Sequence, residues 1–100
     1  MANTIKALAR TAAGTSSTTL YTVPSSTTTV VTNILVTNTS ASAQTFTITI
    51  DGVAAFSGAS IAANSTAMFD LKQAIAATKV IAGLASATSV NFHISGVEIA

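Results

Sequence analysis

Between Gln44 and Ile50 the chain alternates without a fault. Phe46, Ile48 and Ile50 interleave with Thr45, Thr47 and Thr49, and Asp51-Gly52 follows directly. Successive side chains of a β-strand point to opposite faces, so this period of two specifies a strand with one buried and one threonine-covered face. Asp-Gly supplies the two residues of positive φ that a type I′ turn needs, which makes a hairpin here. A two-residue loop pairs Ile50 with Val53 and Ile48 with Ala55, and sets Phe56 opposite Thr47 on the polar face. Either a bulge resets the phase before Phe56 or that face is covered, and the spacing leaves both open.

The rest of the chain follows the same grammar. Residues 19–23 (TLYTV) read as a strand stopped by Pro24, with Pro24-Ser25-Ser26 as the turn. Residues 27–37 make a longer strand with Val30, Ile34 and Val36 on one face and Val31 and Leu35 on the other. Apolar residues of both parities predict a strand covered on both sides near its middle. Residues 38–43 form a polar loop, and residues 66–69 a short strand. Residues 70–77 (DLKQAIAA) are the one helical candidate. Asp70 suits the cap, Gln73 reaches back, and Leu71 and Ile75 share a face. Val80, Ala82 and Leu84 alternate in the next strand, and Val90, Phe92 and Ile94 in the last. There the apolar positions change parity, to Val97 and Ile99, with Gly96 between. A bulge at Ser95-Gly96 restores the inward direction. Seven or eight short strands at this spacing predict an all-β, antiparallel sandwich with one short helical turn, of jelly-roll or immunoglobulin-like topology.

Composition narrows what such a domain can do. One hundred residues make one domain, and 26 of them are Ile, Leu, Val or Phe, enough for a core. Thr and Ser number 30, while Asp, Glu, Lys and Arg number seven and leave a net charge of +1. A surface of hydroxyls and methyls gives little repulsion between copies, so the chain is expected to assemble. The absence of cysteine removes disulfides, thiolate metal sites and Cys nucleophiles. No apolar run approaches the ~18 residues of a membrane helix, and the first ten residues have no apolar core of a secretory signal. Four basic residues without interleaved aromatics do not make a nucleic-acid surface. Synthesis in a cytoplasm, followed by assembly, is the expectation.

Catalytic parts are scarce. His93, the only histidine, stands between Phe92 and Ile94 and points away from the expected core. Asp51 belongs to a turn, Asp70 to a cap, and Glu98 follows the expected bulge. No nucleophile elbow or phosphate cradle occurs, so no enzyme, cofactor or metal site is expected. Three His93 side chains around a trimer axis are the only metal geometry on offer. The sequons at Asn38 and Asn64 fall in turns, where Asn, Ser and Thr serve the backbone. The threonine ladder of residues 45–49 is one strand wide, too narrow for an ice-binding face.

Residues 1–15 stand apart. They hold Lys6 and Arg10 with no acid, together with Ile5 and Leu8. They read either as an edge strand with a frayed start or as an arm that adds to a neighbour's sheet. In the second reading Ile5, Lys6, Leu8 and Arg10 are the assembly contacts. The segment is then removable without loss of most of the core, because the alternating positions begin at Leu20.

The order Leu20-Tyr21-Thr22-Val23-Pro24, then residues 30–39 (VVTNILVTNT), resembles small virion structural proteins of tailed bacteriophages, including cyanophages. The likeness continues through residues 45–50, 61–66 and 81–86 to the ending at 90–99 (VNFHISGVEI), so it spans most of residues 7–99. It rests on strand and turn punctuation and carries over no catalytic or ligand residue. It implies a β-sandwich that decorates a head or attaches to a tail or fibre, located in the virion. The implied partners are the major capsid protein, other virion proteins and further copies of itself, with a trimer preferred. The short segment 51–63 leaves little room for a receptor-binding insertion, which favours head decoration. A bacterial adhesin or carbohydrate-binding module is the rival of another class.

Overall fold

A computed structural model describes residues 3–100. Eight strands follow in order: β1 (Asn3–Ala12), β2 (Thr18–Thr22), β3 (Thr28–Asn38), β4 (Gln44–Ile50), β5 (Val53–Ile61), β6 (Ser65–Ile75), β7 (Val80–Ala85) and β8 (Val90–Ile99). They form two four-stranded antiparallel sheets, ordered β1-β8-β3-β6 and β2-β7-β4-β5. Each strand of the first half pairs with its mirror in the second: β1 with β8, β2 with β7, β3 with β6, β4 with β5. The chain is one long hairpin folded over itself, and the β3-β8 and β4-β7 pairs knit each sheet together. An immunoglobulin-like sandwich instead sets its first two strands side by side. Here those strands lie in different sheets, and the nested order is that of a jelly roll.

The β4–β5 hairpin forms as its sequence requires. Asp51 and Gly52 both have positive φ, 54° and 76°, and Ile50 pairs with Val53. The phase of Phe56 is then reset by a bulge. Thr49 pairs with Ala54 but Ile48 pairs with Phe56, so Ala55 is the extra residue and Phe56 joins the inner face. A second irregularity follows, where the Gly58 N–H donates to Thr47 Oγ1 at 3.0 Å.

The helical turn expected at residues 70–77 is replaced by strand. β6 runs on to Ile75, which pairs with Thr29 and is only 2% exposed. Two turns of helix cannot offset the cost of nucleation by themselves, whereas the β3 ladder offers backbone partners and a core site for Ile75. Leu71 and Lys72 together oppose Thr32, and this bulge absorbs the apolar spacing that imitated a helix.

Four phenylalanines tie the sheets together. Phe46 on β4 packs against Phe56 on β5, Phe69 on β6 and Phe92 on β8, with ring centroids 5.6, 6.3 and 6.2 Å away. Phe56 and Phe69 close the group at 4.6 Å. Ile34, Ile48, Ile81, Ile94, Val31, Val36 and Val90 complete a core that excludes water. Of the two sequons, Asn38 is buried, and its Nδ2 donates to the carbonyls of Ser42, Ile61 and Ala62. It is a loop staple.

The bulge expected in β8 at Ser95-Gly96 is absent, and the extra residues lie on its neighbours instead. β1 carries an extra residue at Leu8 and β3 at Thr32, both beside Ser95, and Thr32 Oγ1 donates to the Ser95 carbonyl at 3.2 Å. β8 keeps its alternation, so Gly96 and Glu98 face inward and Val97 faces out. On β3 the same shift brings Val31 inside with Ile34 and Val36, and leaves Val30 outside with Leu35. Gly96 serves space rather than an unusual φ. A Cβ there would stand 2.4 Å from the Val30 carbonyl oxygen and 2.9 Å from Leu8 Cδ1. Only a bare backbone lets the bulged Leu8 swing into the core. Gly96→Val is therefore expected to cost about 2–4 kcal/mol in denaturant-measured stability.

Candidate assembly surface

β1 is an edge strand paired along its length with β8, and the four N-terminal candidates divide by the parity of that pairing. Leu8, 7% exposed, is packed in the core and is not presented to a neighbour. The bulge that turns it inward is the reason. Ala13 is also buried, and its N–H donates to the Val90 carbonyl at 2.7 Å. Residues 3–15 thus contribute to the sandwich itself, contrary to the expectation that the core begins at Leu20. Met1 and Ala2, the first two residues of the expected arm, lie outside the described residues. Ile5 is 86% exposed, and Arg10 is exposed farther along the same strand.

Lys6 belongs to a polar clamp at one end of the sandwich. Its Nζ lies 3.5 Å from Glu98 Oε1. Tyr21 Oη donates to Glu98 Oε2 and lies 2.9 Å from Thr29 Oγ1. Glu98, 14% exposed, therefore joins β2 of one sheet to β1, β8 and β3 of the other. The Lys6 pair, exposed on the lysine side, contributes little alone. The Tyr21 bond is the stronger link, because a carboxylate acceptor strengthens a hydrogen bond. Tyr21 and Glu98 are 77 residues apart, and no local pattern joins them.

The outward face of the β1-β8-β3-β6 sheet can be assembled from register. One row runs Ile5, Val97, Val30, Ala74, and another Arg10, His93, Leu35, Met68. Between them lies Ala7, Ser95, Asn33, Asp70. Ile5 and Met68, 86% and 62% exposed, are two of the most exposed large apolar side chains described. Threonine dominates the corresponding face of β4, through Thr45, Thr47 and Thr49. Both outer faces are mixed: beside those threonines β7 turns out Val80, Ala82 and Leu84, and the first sheet sets two largely apolar rows on either side of a polar one.

His93 lies in the middle of the first sheet's outer face. It is not gathered with Asp51, Asp70 or Glu98, and no three His, Cys, Asp or Glu residues converge among the described residues. No cavity opens among them. The geometry offers a surface. No protein-family model matches the chain, and no curated protein matches its sequence.

Burial, then the hydrogen bond to Glu98, pushes the Tyr21 phenol above its ordinary value, with the Thr29 bond opposing in part. The folded protein thus keeps this proton at pH values where the unfolded chain releases it. The stabilisation is complete below about pH 10 and declines as pH rises beyond it. Stability of the protein should fall from pH 9 to 11 by a larger amount than that of Tyr21→Phe, as followed by urea titration. Deleting residues 1–15 removes Leu8, Ala13 and one of the two strands that pair with β8. Circular dichroism should find the truncated chain unfolded or strongly destabilised.

Proposed function

We propose that the protein is a non-enzymatic structural component of a bacteriophage virion, of the head-decoration or cement type. The observation that carries this reading is the two-sided apolar character of β3. Ile34 and Val36 face the core, while Val30 and Leu35 face out on a sheet that the chain covers on one side only. An outer face with apolar rows and few charges to desolvate suits a subunit packed among other subunits. The nested strand order gives fold-level support, since jelly rolls serve in viral capsids, and it serves lectins and cupins equally. The resemblance to phage virion proteins favours the first. The host cytoplasm is then the site of synthesis and the virion the final location.

A carbohydrate-binding module fits the geometry less well. Such a module presents aromatic rings to a sugar, but the four phenylalanines here cluster between the sheets and Tyr21 is engaged with Glu98. A tail or fibre position remains the rival within the class, and copy number separates the two. Quantitative mass spectrometry of purified particles should find hundreds of copies per virion, with antibody label distributed over the head. A few to a few tens of copies, labelled at the tail, would replace head decoration with the rival. Absence from particles would remove the reading altogether.

A further inference from the structure

We infer that the outward face of the β1-β8-β3-β6 sheet docks against the same face of a second copy of this chain, about a two-fold axis parallel to the strands. Such an axis lays β1 of one copy over β6 of the other and β8 over β3. The row Arg10, His93, Leu35, Met68 then meets itself in reverse order, and so does the row Ile5, Val97, Val30, Ala74. The fit follows side chain by side chain. Ile5, 86% exposed, falls opposite the small Ala74, Val97 opposite Val30, and Leu35 opposite the imidazole of His93. The aliphatic stem of Arg10 falls over Met68.

Charge selects this arrangement. The face carries a cation at one lateral margin, Arg10 on β1, and an anion at the other, Asp70 on β6, one row apart. The two-fold brings each Arg10 within one row of the partner's Asp70, which an arginine spans, and does so twice. Lys72 lies toward the Ala74 row, away from Arg10 of the other copy. A three-fold arrangement cannot cover a flat face with its own copy, because self-complementary burial of one patch requires a two-fold. The area is also sufficient. Four strands 4.8 Å apart and ten residues long present roughly 600 Å² of face, so a pair buries about 1,200 Å². That is near the lower bound for a specific protein interface, which ranges from about 1,200 to 2,000 Å².

The inference does not depend on a virion role, and its test is read in solution. Sedimentation equilibrium of the full chain, up to about 1 mM, should give a mass rising to twice 9.9 kDa. Met68→Asp should raise the dissociation constant at least tenfold while leaving the melting temperature within a few degrees, since Met68 supports no core contact. Thr47→Asp, on the opposite sheet, should leave association unchanged. Arg10→Asp and Asp70→Arg should each weaken the pair by about threefold to fivefold. The double variant should regain most of that loss. A chain that stays monomeric throughout overturns the proposal, as does a dimer indifferent to Met68→Asp. Failure of the charge-swapped double variant to recover overturns the two-fold geometry. A monomer that uses this face to bind particles gives the surface to another partner and overturns the pairing.

Discussion

Two sheets that share no hydrogen-bonded strand pair are held by what lies between them, and between these lies a knot of four phenylalanine rings. Backbone hydrogen bonds stabilise each sheet, but they are nearly exchanged for bonds to water and give no reason for the layers to stack. Burial of the rings supplies that reason, each removing some 150–250 Å² from water. Phe46 is the hub, since it touches a ring on its own sheet and two on the other. The bulges follow from the same demand. Ala55 exists as an extra residue so that Phe56 can face inward, and Leu8 bulges from β1 so that its side chain can reach the core.

The sequence displays this logic where it is local and hides it where it is not. Gln44–Ile50 and its turn are legible because period, turn chemistry and burial all lie within nine residues. Asp70-to-Ile75 misleads because cap and spacing satisfy a helix, while the facts that favour a strand sit on β3, some forty residues away. Gly96 is a different kind of case. Its change of apolar parity points to a bulge in β8, but β8 runs on without one and Val97 faces out, because the extra residues are Leu8 and Thr32 on the flanking strands. Whether Val30 or Val31 faces the core turns on that single unpaired threonine. The candidate surface shows the same split. Exposed Ile5 and Arg10 were accessible to reasoning from the first fifteen residues, whereas Leu8 is withdrawn by a bulge. Met68 and Leu35 join them only through register across four strands.

Low charge ties the fold to its surroundings. Of seven charged side chains, Lys6 and Glu98 are spent on each other at one end of the sandwich, and Asp51 in a turn. What remains on the outer face of the β1-β8-β3-β6 sheet is Arg10, Lys72 and Asp70, set at its margins and leaving the central strands to the uncharged Val30, Leu35, Val97, Ser95 and Asn33, with His93. Charge depleted at the centre and kept to the rim is the arrangement of a protein interface. The lateral strands also guard their free edges. β1 and β6 each carry a bulge and charged side chains, features that discourage open-ended strand addition and so favour contact through faces.

The nested pairing of strands has a temporal consequence. β4 meets β5 across a two-residue turn, but β1 has no partner until residues 90–99 exist. During synthesis, therefore, the β4–β5 hairpin has both its strands long before β1 has its partner. At a few to twenty residues per second, Ile5 and Leu8 spend several seconds emerged but unpaired. Lys6 and Arg10 flank Leu8 on that waiting strand, the placement by which charges next to an apolar segment oppose its pairing with like segments.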